Sequence, residues 1–114
     1  MNFSQWTVWL ANLDPVVGSE QGKTRPVLII SKSSLNSILP VVNVIPISSR
    51  KANRRIYPNE ALLSPGTSGL IVESIALCHQ IRTLDKRLTR RLGILADQYA
   101  QTRVVSALRF QLAL

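Results

Sequence analysis

The chain is poor in several residue types, and each shortage excludes a class of protein. It contains one cysteine, Cys78, so it cannot form an internal disulfide, and no cluster of metal-ligating residues accompanies that thiol. Aromatic residues make up 5% of its 114 residues, so the core must consist mainly of Val, Ile, Leu and Ala. The first residues lack a basic segment followed by an apolar stretch, and no apolar run is long enough to cross a bilayer. We therefore expect neither a signal peptide nor a membrane span, and a cytoplasmic location.

The common catalytic motifs are also missing. The sequence has no phosphate-binding glycine loop, no HExxH, no paired CxxC and no GxSxG. His79 is the one histidine, and the 6 acidic residues include no close pair suited to two metal ions. Any hydrolase chemistry must therefore use arginine, hydroxyls and at most one carboxylate, with no metal or other cofactor. We expect His79 to be a packed or surface residue rather than a catalyst, and Cys78 to pack as a small hydrophobe.

Positive charge is in excess. The 14 lysines and arginines outnumber the 6 acidic residues, which gives a net charge of +8 and a pI near 10.9. Such a surplus favours an anionic partner, because phosphates neutralised by basic side chains release their condensed counterions. A nucleic acid or an acidic protein is favoured over a membrane surface, since no helix combines a basic face with Trp or Phe. The alternative is a solvated basic surface that only aids solubility.

Hydrophobic patterns and turn residues predict one domain over residues 1–114, a strongly bent small β-sheet or barrel closed by a C-terminal helix. Pro46 interrupts the third strand, which predicts an edge or a bulge there. Trp6 and Trp9 lie in the first strand, where core packing is favoured over stacking on bases. The predicted strands are Gln5–Leu13, Val27–Ser31 opened by Pro26, Val41–Ile47, short segments around Ile56 and Leu62, and Leu70–Ile81.

The last third of the chain carries helical spacings. Val105, Leu108 and Leu112 recur at helical intervals within the predicted helix Asp97–Leu112, and we expect this stripe to serve core or subunit packing. Upstream, two leucines at 88 and 92 lie among three arginines, a pattern that predicts a single helical turn. Serines and asparagines between residues 33 and 37 predict a loop.

The densest group of polar residues lies in the loop Asp14–Pro26. A loop of this length between two hydrophobic strands usually has a function, although a simple solvated loop is the alternative. Arg25 lies beside the start of a buried strand, which would hold its guanidinium on a rigid element. Arginine presents a fixed fork of donors that matches phosphate geometry, so Arg25 is a candidate phosphate-binding residue.

Four stretches form an ordered set of motifs along the chain. Val8–Ser31 contains a D-P, G-S-E-Q and R-P series that leads into an apolar strand. Ile47–Arg50 has hydroxyl residues before a basic connection, and His79–Leu88 contains Q-I-R-T-L-D-K. Leu108–Leu112 completes the set near the C-terminus. In this order the four stretches resemble the MazF/PemK toxin family, and the resemblance runs almost from end to end.

The resemblance implies an α+β, mainly β fold: a small SH3-like barrel of the CcdB/MazF type with a C-terminal helix, normally a homodimer. Such toxins cut single-stranded RNA at short sequence motifs and leave a cyclic phosphate upstream and a 5′-hydroxyl downstream. A cognate antitoxin with an acidic tail fills the RNA groove. By motif, Arg25 is the catalytic arginine, Ser48 takes the place of the catalytic hydroxyl, and Glu20 matches a loop glutamate implicated in some members. Ser48 stands where threonine is commoner, and the freer serine rotamer is less preorganised.

The matching motifs and the basic composition also predict residues that contact RNA. For the connection Arg50–Arg55 the alternative is an exposed charged loop, and for Arg82 and Lys86 it is a salt bridge with Asp85. The predicted RNA-binding residues are Lys23, Thr24, Ser49, Arg50, Lys51, Arg54, Arg55, Gln80, Arg82 and Lys86.

RNA carries its own nucleophile, the 2′-hydroxyl, so the predicted site needs only to align it and to stabilise phosphoryl charge. Arg25 and Ser48 supply donors for that charge, and Glu20 is the nearby carboxylate able to act as base. Two other functions stay open. A CcdB-like topoisomerase poison is disfavoured by the Arg25-Pro26 pair, and a catalytically inactive barrel that binds nucleic acid would explain the change of threonine to serine.

Overall fold

The computed structural model describes residues 3–14, 18, 23–86 and 88–114, which form seven strands and two helices. The strands are β1 (Thr7–Asn12), β2 (Thr24–Ile29), β3 (Val42–Ser49), β4 (Glu60–Leu63), β5 (Ser74–Leu77), β6 (Arg82–Leu84) and β7 (Leu88–Ile94). The helices are α1 (Ser33–Asn36) and α2 (Gln98–Leu112), and a 3₁₀ turn spans Cys78–Gln80. None of the helices described is long and apolar enough to cross a membrane.

The strands form one antiparallel sheet in the order β4–β5–β3–β2–β1–β7, and β6 pairs with β3. In the residues described, the end strands β4 and β7 do not pair with each other, so the sheet is barrel-like but not closed. The C-terminal helix α2 packs against β4 and the 3₁₀ turn. The predicted mainly β fold with a C-terminal helix is confirmed.

The strand β2 is buried on both faces, as its continuous apolar run predicted. Val27, Leu28 and Ile29 are all fully buried. Leu28 belongs to a helix-side core that includes residues of α2, whereas Val27 and Ile29 belong to a far core on the other face. Successive side chains of a strand point to opposite faces, so each core takes alternate residues. The result is a rigid central layer that can position residues at its ends.

The two tryptophans contribute to the cores, as expected. Trp9 is 3% exposed and lies in the far core, where its ring contacts Phe3 at 5.0 Å between centroids. Trp6 is half-buried and packs against the helix-side core.

The strand β2 begins earlier than predicted, because Pro26 lies inside it. Pro26 pairs with Leu10 of β1, and β2 starts at Thr24. Pairing of β2 with β3 begins only at Val27 in the residues described. The proline therefore lies where one side of β2 has no ladder, so its missing N–H breaks no strand hydrogen bond.

Up to Pro46, β3 is an interior strand with a regular register against β2. After Pro46, β3 pairs only with β5 in the residues described, so the end of this strand is an edge on the β2 side, as predicted. The Ile30 N–H donates to the Asn43 carbonyl at 3.0 Å, so these two residues form a hydrogen-bonded pair of the antiparallel ladder. Hydrogen-bonded and non-hydrogen-bonded pairs alternate along such a ladder. Pro46 therefore lies in a non-hydrogen-bonded pair, and its nitrogen points away from β2. On that side β3 leaves β6 after Val44 and joins β5 at Ile47. Pro46 lies at this change of partner, where no ladder bond is required.

The predicted C-terminal helix is confirmed at both ends. Asp97 is its N-cap, and the Asp97 side chain accepts a hydrogen bond from the Tyr99 N–H at 3.0 Å. The helix ends at Ala113, which adopts the left-handed conformation with φ of 57°.

The face that α2 buries differs from the predicted stripe. Val105 is 37% exposed and Leu112 is 45% exposed, while Leu108 is partly buried. The residues that immediately precede Val105 and Leu108 make the close contact with the core instead. Short side chains are favoured there because the helix packs tightly on the sheet. The buried residues of α2 are Ala100, Val104 and Ala107.

The predicted helical turn around Leu88 and Leu92 is wrong, since these residues belong to β7. The register of β7 against β1 shifts at two places, between Val8 and Trp9 and between Leu10 and Ala11. Such bulges break the period of two that identifies a strand from sequence. The spacing of the two leucines then matched a helix by coincidence.

Other boundaries also differ. The predicted strand Leu70–Ile81 is shorter and consists of β5 followed by the 3₁₀ turn. No strand forms around Ile56, whereas Leu62 does lie in a strand, β4. The loop predicted between residues 33 and 37 contains the single turn α1.

The loop after β4 packs closely on β7 through glycines. The Ile94 N–H donates to the Thr67 carbonyl at 2.9 Å. Gly69 has φ of +80°, and a Cβ built on it would lie 2.2 Å from the Leu92 carbonyl oxygen. A Cβ on Gly93 would lie 2.2 Å from the Thr67 carbonyl oxygen. This approach of two backbones leaves no room for a side chain.

We expect Gly69→Ala to lower the free energy of unfolding by about 2–4 kcal/mol, because the methyl group meets backbone and the φ disfavours a side chain. Urea unfolding followed by far-UV circular dichroism measures this difference. Gly66→Ala is the matched control, since Gly66 also has a positive φ, +146°, but nothing lies within 4 Å of its Cβ position. Equal losses in the two variants would show that the steric contact contributes nothing.

Candidate active site

The start of β2 is held in place by hydrogen bonds between the two ends of the preceding loop, where Leu13 and Asp14 meet Lys23. The Lys23 N–H donates to Asp14 Oδ1 at 2.8 Å, and the Lys23 carbonyl accepts from the Leu13 N–H at 2.8 Å. Thr24 then pairs with Asn12 of β1. Lys23 and Thr24 are exposed, and their backbones fix the strand from which Arg25 extends. The predicted catalytic Glu20 lies outside the described residues.

Arg25 lines a cleft of about 250 Å³, named here the Arg25 cleft. Arg25 lies on β2, where it pairs with Ala11, and its side chain is exposed. The cleft is also lined by Arg90 of β7 and by Ser49 at the end of β3. One wall is apolar and includes Ile71, which is 91% exposed. Two arginines beside apolar surface suit a ligand with both negative charge and flat apolar groups.

Ser48 lines a second cleft of about 290 Å³, named here the Ser48 cleft. Ser48 lies on β3, pairs with Ile75 of β5 and is half-buried. The cleft is polar and cationic, since Lys51, His79 and Gln80 also line it.

The two clefts adjoin, because Ser49 lines both of them. Arg25 and Ser48 each lie two residues beyond the last paired residues of β2 and β3, which are Val27 and Pro46. The predicted catalytic pair is therefore divided between neighbouring clefts at the place where β2 and β3 part.

Arg50, a predicted RNA-binding residue, is part of the internal bonding of the loop after β3. Its guanidinium forms a salt bridge of 3.0 Å with Glu73, and its Nε donates to the Arg54 carbonyl at 2.8 Å. Its backbone N–H donates to the Glu73 carbonyl at 2.9 Å. These bonds set the course of the connection between β3 and β4.

Arg54 is tied more strongly still, to the buried carboxylate of Glu60. The guanidinium donates to both Glu60 oxygens, at 2.9 and 2.7 Å, and the Tyr57 N–H donates to Glu60 Oε1 at 3.0 Å. The Glu60 side chain is 3% exposed and that of Arg54 is 41% exposed. The bond to Arg54 and the bond from the Tyr57 N–H hold the pKa of Glu60 below its usual value, and the same pair raises the pKa of Arg54.

The aromatic ring of Tyr57 lies beside both neighbouring arginines. The guanidinium carbons of Arg55 and Arg54 are 5.3 and 5.8 Å from the Tyr57 ring centroid. Arg55 is exposed and Tyr57 is 48% exposed. Cation–π contacts of this kind orient the guanidinium groups without removing them from solvent.

Of the third motif, Gln80 reaches the Ser48 cleft, whereas Arg82 and Lys86 line neither cleft in the residues described. The Arg82 guanidinium donates to the Leu13 carbonyl at 3.2 Å. The Lys86 ammonium lies 5.4 Å from the centroid of the Phe3 ring. Both residues therefore brace the far-core side of the sheet, and neither adds to the charge within the clefts.

Cys78 and His79 are adjacent in sequence but lie in opposite environments. Cys78 is fully buried, its Sγ lies 3.9 Å from the Val104 carbonyl, and burial raises the pKa of the thiol to about 12. It packs as a small hydrophobe, as predicted. His79 is exposed, as expected of a surface histidine, but no sequence pattern indicates that it lines the same cleft as Ser48. Within the described ranges, no group of three His, Cys, Asp or Glu side chains is arranged to hold a metal ion.

Comparison with known families gives one decisive match. The family model described as PemK-like, MazF-like toxin of type II toxin–antitoxin system matches residues 4–112. The chain belongs to this toxin family. The resemblance inferred from the sequence motifs is thereby confirmed.

Individual relatives agree with this assignment. The toxin is 42% identical over 92 residues to the Endoribonuclease MazF of Staphylococcus saprophyticus, a match that covers 80% of this chain and 76% of that protein. The crystal structure of MazF from Deinococcus radiodurans has a TM-score of 0.77 and 29% identity, and covers 97% of this chain and 96% of that chain. An endoribonuclease in complex with its cognate antitoxin, from a mycobacterial species, has a TM-score of 0.78 at 21% identity, covers 97% and 95% of the two chains, and shows the shared fold alone.

In this toxin, the residues singled out from sequence thus separate into three groups. Arg25, Ser48, Ser49, Lys51 and Gln80 line the two adjoining clefts. A second group is distinguished by the partners within the fold that are described above, and Arg54 of this group also lines the Ser48 cleft. The residues with such partners are Arg50, Arg54, Arg55, Arg82 and Lys86. Lys23 and Thr24 lie exposed at the end of the loop that leads to Arg25.

Proposed function

We propose that this chain is a toxin that cuts single-stranded RNA as an endoribonuclease and needs no metal. The observation that carries the proposal is the pair of adjoining clefts, one lined by the Arg25 guanidinium and the other by the Ser48 hydroxyl, which meet at Ser49. Membership of the PemK-like, MazF-like toxin family and the similarity to Endoribonuclease MazF support it. The net charge of +8 supports an RNA partner, because phosphates bind where basic side chains displace their counterions.

The reaction begins with the ribose 2′-hydroxyl, which attacks the adjacent phosphorus. The bond from phosphorus to the 5′-oxygen breaks, which leaves a cyclic phosphate upstream and a 5′-hydroxyl downstream. Arg25 stabilises the negative charge that builds on the phosphoryl oxygens, through charge-assisted hydrogen bonds from its rigid fork. Ser48 adds a neutral donor to the same oxygens. Arg25 does not accept the proton, because the guanidinium group of arginine stays protonated in proteins.

The RNA backbone follows the exposed basic and polar residues around these clefts. Lys23 and Thr24 lead to Arg25, and Ser49, Lys51 and Gln80 surround Ser48. Arg55 extends the same surface beside the Tyr57 ring. Arg50 and Arg54 shape the groove through their bonds to Glu73 and Glu60, in addition to the charge that they contribute. Arg82 and Lys86 contact RNA only where it extends beyond the clefts.

Membership of the same family supports a proposal for where and how the toxin acts. Residues 1–114 form one toxin domain that acts on mRNA in the cytoplasm and so blocks translation and growth. Its inhibitor is a cognate antitoxin whose acidic tail complements the basic groove. The working form is a homodimer, which is supported by exposed apolar residues at the end of α2: Phe110 at 65%, Leu112 at 45% and Leu114 at 84%.

The test is to incubate the purified chain with a long mixed-sequence single-stranded RNA in EDTA and to map the fragment ends. We expect discrete cuts at one short motif, with cyclic phosphates upstream and 5′-hydroxyls downstream. RNA that stays intact but is retarded on a gel would replace the proposal with an inactive binding barrel. Intact RNA together with stalled supercoiling by a topoisomerase would indicate a CcdB-like poison.

The serine at position 48 is expected to support cleavage at a reduced rate. Ser48→Ala should lower kcat about 10-fold, which corresponds to the loss of one neutral hydrogen bond. Ser48→Thr should raise kcat about 2- to 5-fold, because the added methyl restricts the rotamer of the hydroxyl. Single-turnover cleavage with the toxin in excess measures both rates. A faster Ser48→Ala variant would contradict the role of the hydroxyl.

A further inference from the structure

We propose that His79 is the general base that accepts the proton of the attacking 2′-hydroxyl; the inference rests on the proposed RNA cleavage. His79 is the one histidine of the chain and is exposed in the 3₁₀ turn that follows β5. His79 lines the Ser48 cleft together with Ser48 of β3. Among the described side chains that line this cleft, imidazole is the group that most often serves as a general base in enzymes.

The backbone holds His79 in place without using its ring for packing. Cys78, the residue before it, is fully buried and anchors the turn against Val104 of α2. The turn is closed by the Ile81 N–H, which donates to the Cys78 carbonyl at 3.4 Å. The ring Nε2 lies 3.4 Å from Nε2 of Gln80, which also lines the cleft. His79 thus presents an exposed ring from a fixed backbone, so the ring can approach the proton that a general base removes.

The charged groups around His79 are mostly cationic. Lys51 and Arg54 line the same cleft, from the connection before β4. Glu60 of β4 is the nearby carboxylate, and His79 contributes to the lowering of its pKa, but both Glu60 oxygens already accept from Arg54. From α2, Arg103 donates to the Leu62 carbonyl and Arg109 lines a separate cleft with Trp6. Glu60 is therefore bonded to Arg54, and among the described residues that line this cleft His79 is the group suited to take a proton.

The proton balance of the step is complete. The neutral imidazole takes the proton as the 2′-oxygen forms its bond to phosphorus, and the 5′-oxygen leaves with the electron pair of the broken bond. A solvent water supplies the proton for that 5′-oxygen, and the imidazolium returns its proton to solvent after the fragments separate. This assignment differs from the base expected from sequence, Glu20.

The experiment compares single-turnover rates from pH 5 to 9 in EDTA for the intact chain, His79→Gln and Glu20→Gln. The substrate is a short RNA that carries the motif mapped with the long RNA. We expect the rate of the intact chain to rise with pH and then level off, because a general base must be unprotonated to accept the proton. The pH profile of His79→Gln should lack that inflection, and its rate at high pH should be about 100-fold below the plateau rate of the intact chain. Glu20→Gln should retain the inflection.

Two further measurements separate a base from other roles. Added imidazole should restore cleavage by His79→Ala, because it can enter the vacated space, and it should not restore Arg25→Ala. A substrate with sulfur in place of the leaving 5′-oxygen needs no proton on its leaving group, so it should leave the defect of His79→Gln unchanged. His79→Gln and the intact chain should also bind with equal affinity an RNA that carries a 2′-deoxyribose at the cleavage position and so cannot be cut.

Each contrary result overturns the proposal. An unchanged pH profile in His79→Gln would leave His79 without a chemical role, while cleavage by the intact chain would keep the proposed function. Loss of the inflection in Glu20→Gln alone would assign the base to Glu20. If His79→Gln cleaves the substrate with the sulfur leaving group as fast as the intact chain does, His79 acts as the general acid and not as the base. If the intact chain does not cut RNA, the proposed function and this inference fall together.

Discussion

Replacing Arg25 with alanine is expected to lower RNA cleavage by about 100- to 1000-fold at saturating RNA, the loss typical of removing one preorganised donor to a developing oxyanion. Arg25 extends from β2 just before the segment buried between the two cores, so its guanidinium needs little reorganisation during the reaction. The side chain is exposed, and we expect the variant to keep its stability within about 0.5 kcal/mol. Single-turnover rates in EDTA, with urea unfolding of the same samples, measure both quantities.

Two matched variants identify what Arg25 contributes. Arg25→Lys keeps the charge but loses the planar fork, so its rate should lie between those of the intact chain and Arg25→Ala. Arg90→Ala removes an equal charge from the other side of the Arg25 cleft. It should weaken RNA binding and change kcat less than about 3-fold, because it removes binding that is equal in the ground and transition states. A kcat for Arg25→Ala within a few-fold of the intact chain would refute the catalytic role.

The second large effect concerns stability. Arg54→Ala is expected to lower the free energy of unfolding at pH 7 by about 2–4 kcal/mol, since it leaves the carboxylate of Glu60 buried without its partner. Glu60→Gln should lower the free energy of unfolding by less, about 1–2 kcal/mol. The Arg54 side chain is 41% exposed, so water can solvate its charge when the carboxylate is absent. Urea unfolding of both single variants and of the double variant gives the coupling energy. Equal and small losses would show that the pair contributes nothing to stability.

The same pair predicts how stability depends on pH. The folded pKa of Glu60 is lowered, chiefly by the hydrogen bonds from Arg54. A lowered pKa means that the stabilisation is fully present above the unfolded value, about 4.3, and is lost as the pH falls through the folded value. The intact chain should therefore lose stability below about pH 4.3 more steeply than Glu60→Gln. Identical slopes in acid would contradict this origin of the acid sensitivity.

Much of the fold could be predicted because its causes are local. The apolar run Val27–Ile29 identified a strand buried on both faces, and Asp97 with the helical spacing after it located α2. For the candidate site, the sequence places Arg25 beside the start of such a strand and Ser48 within its motif, and the catalytic roles of both residues stay predictions.

Other features could not be predicted, because they depend on which strands pair. The bulges of β7 against β1 hid the strand behind a helical spacing at Leu88 and Leu92. Pro46 marks a change of partner within β3, and the sequence predicted an edge there but not which strands pair. Arg54 was predicted to bind RNA, but the buried carboxylate of Glu60 that it meets is visible only in the folded chain.

The sequence by itself determined most of the strands, the C-terminal helix, the excess of positive charge and the family, because each depends on residue types and short spacings. Only the tertiary structure decided that Ser49 joins the clefts of Arg25 and Ser48, and that His79 faces the second of them. These relations join residues far apart in the chain, as does the bond from Thr89 to the Leu10 carbonyl, which spans 79 positions. Their geometry follows from strand register and packing, which depend on the whole sheet and not on any local pattern.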